Sequence, residues 1–189
     1  FGQPAVYLFW LPSLIFLGIF KLGGPTLITV LSSLCIASFY FLLWRCLREY
    51  KTGYLTSAAL LLFSIIISIE AWSIRPQTLT FPLFGLVLLT ITKWQKGNNR
   101  MLWVLPAATL IWTNFHASFI IVFLLAVPAI LFGSGNKKYL LIAIALALGV
   151  TLINYYGFDL WRQMFAMVNS QSINKYSIEW QRSVNEGWQ

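Results

Sequence analysis

Residues 25–44, PTLITVLSSLCIASFYFLLW, run for 20 positions without a charged side chain. As a helix that stretch rises about 30 Å, the thickness of a bilayer's hydrocarbon core. A run of this kind restricts a chain to a membrane span or to the centre of a very large soluble core. Composition chooses between them. The 189 residues are 59% hydrophobic and 10% charged, with a mean hydropathy of +0.75. A soluble domain of this length cannot hide that much apolar surface. Further apolar runs recur along the whole length, so one anchor on a soluble domain does not fit either.

The fold expected is therefore all-α, a polytopic transmembrane helical bundle of about six spans. The spans fall at 25–44, 54–71, 78–92, 101–113, 117–132 and 139–154. Pro25 suits a first helical turn, and Gly23-Gly24 before it is a natural break. Around residues 5–20, Pro4, Pro12 and Gly18 interrupt a run that is short for a span, and we read it as an amino-terminal interfacial segment. Residues 1–154 thus form the membrane domain, and 155–189 an extracytoplasmic loop or the start of an outer segment. The opening at Phe1 has no initiator Met or charged leader, and NEGWQ ends abruptly, so an internal piece of a longer protein is expected.

Residues 101–132 need a decision. As one helix they would measure about 48 Å, too long for a bilayer. Asn114 and His116 in mid-membrane would also be costly. A break at TNFH, 113–116, resolves both problems by making two spans. Charge then alternates from loop to loop. Arg45, Arg48 and Lys51 follow the first span, Lys93, Lys96 and Arg100 the third, and Lys137 and Lys138 the fifth. The loops between hold only Arg75. By the positive-inside rule the basic loops are cytoplasmic, and the net charge of +8 reports topology, with no nucleic-acid partner implied. The segments EAWSIRPQ, WTNFH and NYYG then emerge together on the extracytoplasmic face.

Each polar group has a plain reading beside a functional one. Pro76 pushes Arg75 out of the α region, leaving a guanidinium where the chain exits the bilayer. Such a fork suits phosphate; the alternative is a snorkelling arginine paired with Glu70. Gln77 adds a neutral donor and acceptor. His116 is the one histidine, either an interface residue or a site group. A hydrolytic pairing with Ser118 is disfavoured, because i and i+2 side chains do not face each other on a helix. Asn154 and Gly157 stand at the exit of the last span, with Gly157 read as its C′ residue. Asp159 and Glu179 are the outer carboxylates. Cys35 and Cys46, eleven positions apart on one helix, are separated by roughly 16 Å and do not bridge. One histidine and no clustered thiols argue against a metal site.

IRPQTLTFPLFGLVLLTI, LIWTNFHASFIIVF, INYYGFDLW and IEWQ, in this order, resemble bacterial multi-span proteins of the C-type glycosyltransferase (GT-C) superfamily, relatives of the dolichyl-phosphate-mannose mannosyltransferases. The matching positions are Arg75-Pro76-Gln77, Trp112, Asn114, His116, Ala117-Ser118-Phe119, Asn154, Tyr156-Gly157 and Glu179-Trp180, with Tyr155 in place of the usual proline. The resemblance covers roughly residues 20–182. It implies a bacterial inner-membrane enzyme that moves a sugar from a polyprenyl-phosphate donor to an acceptor on the outer face. Substrate contacts would fall to Arg75, Gln77, Asn114, His116, Asn154 and Glu179. Arg75 and His116 would serve as cations for the lipid phosphate. The catalytic carboxylate of that superfamily would lie upstream of Phe1, so the piece alone would be inactive. Membrane lipid and the lipid-linked sugar are the partners implied. No resident cofactor follows, and neither metal dependence nor oligomeric state is specified.

Two other classes fit the composition: a transporter or flippase for lipid-linked or anionic solutes, and a non-catalytic membrane scaffold. Transporters place polar groups near mid-bilayer and often carry inverted repeats, whereas this chain groups them at one face and shows no repeat. The topology has a direct check. Single cysteines at Ser73 and Ala117, in a chain lacking Cys35 and Cys46, are expected to react with an impermeant reagent from the same side. Labelling from opposite compartments would contradict it.

Overall fold

The computed structural model describes residues 10–168. It is 85% helix, without strands among those residues. The α-helices are α1 (Trp10–Glu49), α2 (Tyr54–Ser68), α3 (Phe81–Gln95), α4 (Val104–Phe115), α5 (Ile121–Phe132), α6 (Lys137–Val150) and α7 (Asp159–Val168). Short 3₁₀ turns lie at Ile69–Trp72, Pro76–Thr80, Asn99–Trp103 and Ala117–Ile120. Two compact units divide between Tyr155 and Tyr156, with α1 to α6 in the first and α7 in the second.

Among the described residues, helix α1 is the one helix that is both long and apolar enough to cross a membrane. It is not continuous. Gly23 and Gly24 leave helical geometry, and Gly24 adopts φ +62°, a region that costs side-chain-bearing residues but not glycine. Pro25 restarts the helix, where its missing N–H is no loss. The expected break is therefore present, while residues 10–22 form a helical arm ahead of it. The arm after the break extends through Glu49, five residues beyond the expected span. Arg45 and Arg48 thus end a helix and do not begin a loop, as suits cations near a helix carboxyl terminus.

The helices alternate in direction. Phe39 stacks on Phe84 at 5.5 Å, Glu49 pairs with Lys93 at 3.4 Å, and Tyr50 donates to Gln95 Oε1 at 2.7 Å. Positions 39, 49 and 50 thus meet 84, 93 and 95, so α1 and α3 run parallel. Helix α2 returns alongside α1, from Tyr54 beneath the Arg48 guanidinium to Ser68, which hydrogen-bonds Tyr40. The far end of α3 is closed by Trp94. Its indole is fully buried, donates to the Asn136 carbonyl at 3.1 Å, and lies so close to Gly133 and Gly135 that a Cβ on either would stand within 2.7 Å of the ring. Ser134 Oγ donates to the Gln95 carbonyl at 3.1 Å. The chain that leaves α3 for α4 comes back to the same end after α5. The break at 113–116 therefore reverses the chain.

Most of the expected segments reappear with shifted ends. Helix α2 stops at Ser68, whose hydroxyl donates back to the Ser64 carbonyl at 2.6 Å, and a 3₁₀ turn, Ile69–Trp72, replaces the end of the span expected to run to residue 71. The turn Pro76–Thr80 precedes α3, which runs to Gln95 instead of 92. Helix α6 begins at Lys137, capped by Asn136 Oδ1 accepting from the Lys138 N–H at 3.1 Å, and ends at Val150. Gly157, with φ +53°, lies seven positions past that end. It belongs to the turn before α7, so it is not the C′ residue of α6. Helix α7 occupies a segment expected to be a loop. Cys35 and Cys46 are free thiols.

The surface is inverted relative to a soluble bundle. Leu55, Leu62, Phe63, Ile66 and Ile67 of α2 are all exposed, and the buried residue of that helix is Ser57. The buried polar residues among those described are serines and threonines alone, several donating to their own helix, as Thr92 does to Leu88 and Thr109 to Leu105. At the α1–α3 crossing, Gly85 lets the helices close, since a Cβ there would sit 2.9 Å from Leu42 Cβ. Gly85→Val forces that contact apart and is expected to cost about 1–3 kcal/mol, read as a lowered thermal midpoint in detergent. Gly18→Val, with open space around it, serves as the control.

Candidate functional site

The groups singled out from sequence sit on three segments at one end of the α1–α6 unit. The first is Arg75 with the turn after it. Arg75 is extended (φ −135°, ψ 154°), as a residue before proline must be. Its N–H donates to Thr78 Oγ1 at 3.4 Å, while the Thr78 N–H donates to the Arg75 carbonyl at 2.9 Å. Thr78 Oγ1 in turn donates to the Ser73 carbonyl at 3.1 Å. Thr78 is fully buried and Arg75 exposed. One buried hydroxyl thus sets the backbone on both sides of the arginine. Gln77 is half-buried in the same turn, and its carbonyl accepts from Thr80 Oγ1 at 2.7 Å. The turn packs against α1, α3 and α4.

The second segment is the reversal between α4 and α5. The His116 N–H makes the last helical bond of α4, to the Trp112 carbonyl at 2.9 Å. His116 itself is extended, φ −163° and ψ 145°. Its ring then caps the next turn: the Ser118 N–H donates to Nδ1 at 2.9 Å, and Ser118 Oγ lies 2.8 Å from the same nitrogen. The buried Trp112 donates from Nε1 to Ser118 Oγ at 3.0 Å. Because a main-chain N–H points at it, Nδ1 must be the acceptor, which assigns the ring proton to Nε2. Burial also holds the imidazole below its ordinary value of 6.5. His116 is therefore a neutral donor at pH 7, and the expected fixed cation is not what this environment favours.

The contact between His116 and Ser118 also corrects the spacing argument against it. That argument assumed both residues on one helix, whereas His116 is the extended N-cap of the turn Ala117–Ile120 and its side chain accepts from the second N–H of that turn. A hydrolytic role gains nothing, since Ser118 Oγ is already engaged by the indole and the imidazole.

The third segment follows α6. Asn114 Nδ2 donates to Leu110 O at 3.0 Å and to Ile153 O at 3.1 Å. Both of its donor hydrogens are spent on main-chain carbonyls, so Asn114 braces α4 against this turn. Asn154 Nδ2 donates to the Thr151 carbonyl at 2.6 Å. The structure therefore joins the WTNFH and INYY segments directly, and sets the turn after Arg75 on the same helix. Glu179 lies outside the described residues, as does the Glu70 side chain, the alternative partner for Arg75. Among the described residues no three metal-ligating side chains cluster.

Sequence reasoning left Ser118, Thr78 and Ile153 out of the site. Ser118 was legible as a polar residue two positions after a helix-ending histidine. Ile153 acts only through its carbonyl, which no side-chain pattern reveals. The chain matches no protein-family model, no curated protein and no solved structure.

The cap couples stability to pH. A histidine whose folded pKa is depressed contributes stability that is complete above its unfolded value near 6.5. That contribution is lost as the pH falls, because the unfolded chain takes up the proton first. The thermal midpoint is expected to drop between pH 7.5 and 5. In His116→Gln, which lacks the titrating ring, the drop should be smaller. An identical slope in both proteins would dissociate the effect from this residue.

Proposed function

We propose that the chain forms the helical membrane domain of a glycosyltransferase of the GT-C kind, acting on a polyprenyl-phosphate-linked sugar at the extracytoplasmic face of a bacterial plasma membrane. The observation that carries this reading is the reversal at His116. It sets Arg75, His116, Asn114 and Asn154 on segments at one end of the bundle and the basic clusters at the other.

The membrane reading draws on the inverted surface, because lipid solvates exposed leucine and phenylalanine while buried hydroxyls such as those of Thr92 and Thr109 bond to their own helices. Five of the six spans reach a suitable length if each 3₁₀ turn continues its neighbour, and α6, at about 21 Å, is shorter. At about 2.0 Å per residue for the turns and 1.5 Å for the helices, Asn99–Phe115 measures roughly 28 Å and Pro76–Gln95 roughly 32 Å. Both approach the hydrocarbon thickness that α3 and α4 alone fall short of. Positive-inside charge then puts the Arg75 end outside.

In the proposed site Arg75 receives the lipid phosphate through a bidentate, charge-assisted pair, stabilising charge on the leaving group in a low-dielectric pocket. His116 contributes a neutral Nε2–H. Asn114 holds the two segments in register, and Gln77 and Asn154 supply polar groups beside them. Replacing Arg75 removes a charged hydrogen bond worth about 1.5–3 kcal/mol, so Arg75→Ala in the complete protein in lipid vesicles should lose roughly 10–150-fold in glycosyl transfer from polyprenyl-phosphate sugars. Arg75→Lys, which keeps charge without the fork, should fall between. Unchanged turnover and donor affinity in Arg75→Ala would remove phosphate binding from this residue.

A further inference from the structure

The basic end holds a feature that sugar transfer does not use. Between the turn Asn99–Trp103 and α6 lies a crevice of about 80 Å³ lined by Leu102, Ile142, Ala143 and Leu146. Trp103 and Tyr139 stand at its rim, both at least half exposed. The crevice opens into a wider polar mouth that adds Asn98 and Arg100 to the same rim. Asn99 lines both parts, and its Oδ1 is buried without a hydrogen-bond partner.

These elements ask for different chemistry from one molecule. The floor accepts only hydrocarbon. Arg100 favours an anion, best a phosphate, through its planar fork. A buried carbonyl oxygen such as Asn99 Oδ1 needs a donor, which phosphate ester oxygens cannot supply but a headgroup hydroxyl can. Trp and Tyr at the rim are the side chains that settle at the level of lipid headgroups, and basic pockets between helices at the cytoplasmic side are where anionic lipids bind. We propose that this crevice binds one glycerophospholipid of the phosphatidylglycerol kind. An acyl chain occupies the floor, the phosphate lies on Arg100, and a headgroup hydroxyl donates to Asn99 Oδ1. The site rests on the membrane reading and is independent of the sugar-transfer one. A choline headgroup, with no donor and no net charge, is a poor fit.

The test titrates the detergent-purified protein with dioleoylphosphatidylglycerol, dioleoylphosphatidylcholine or tail-free glycerol phosphate, following the thermal midpoint. Wild type is expected to bind phosphatidylglycerol at least about tenfold more tightly than phosphatidylcholine, as two charge-assisted hydrogen bonds allow. Arg100→Gln should erase that preference and Asn99→Ala should reduce it, while Lys51→Gln, an equal charge loss on another loop, should leave it intact. Equal response to both lipids, a preference surviving in Arg100→Gln, an equal loss in Lys51→Gln, or glycerol phosphate alone reproducing the effect would each overturn the proposal. Protein that stays in solution after detergent removal would instead sink the membrane reading.

Discussion

The arrangement of the α1–α6 unit depends on the reversal at His116. If α4 continued through it, α5 could not return to Trp94, and α6 would have no reason to run beside α4. Three side chains make the turn. Trp112 anchors it from the buried face, Ser118 receives the indole N–H, and the imidazole closes the backbone by capping the next turn. The bend leaves each of these polar groups paired. The same bonds decide the chemistry of the histidine, since a ring nitrogen that accepts a main-chain N–H is not free to hold a proton. A residue that looked like a second cation beside Arg75 is better described as a neutral donor with a structural duty. In the proposed transferase that leaves Arg75 as the charged group facing the donor phosphate.

The two ends of the bundle are built by different means. The end carrying Arg75 is organised by hydroxyls and amides answering main-chain carbonyls: Thr78, Asn114 and Asn154 each fix a turn. The opposite end is organised by aromatic bulk against glycine, with Trp94 packed between Gly133 and Gly135, and by cations over rings, as Lys96 lies 4.4 Å over Tyr50. The first arrangement sets polar atoms on neighbouring turns at one end of the unit. The second leaves a crevice whose rim is aromatic and basic. A protein that handles an amphiphile at one face and contacts lipid heads at the other would need that division.

Much of the architecture was legible in the residues. Helices announce themselves through apolar runs of sufficient length, and their limits through Gly23-Gly24, Pro76 and the polar TNFH break, because these residues act on the local backbone. Two of the misplaced ends share one cause. Ser68 ends α2 early and Thr78 winds a 3₁₀ turn ahead of α3 through hydroxyls that bond to carbonyls, and serine or threonine in an apolar run gives no sign of whether it will do so. Helix α7 was overlooked although Leu160, Trp161, Met164 and Phe165 recur at helical spacing, because the polar neighbourhood reads as a loop.

What the sequence determined by itself is the run of apolar helices and their connectivity: long uncharged segments, loops of alternating charge, and a break that had to turn the chain. Those follow from composition and from backbone preferences that act within a few residues. What the tertiary structure decided is the role of each polar group. Asn114 became a brace because the Ile153 carbonyl arrived beside it, and His116 became neutral because a serine N–H and the surrounding bulk met its ring. Protonation and hydrogen-bond assignment depend on neighbours brought in from distant segments, and distance along the chain carries no record of which carbonyl will come to rest against which amide.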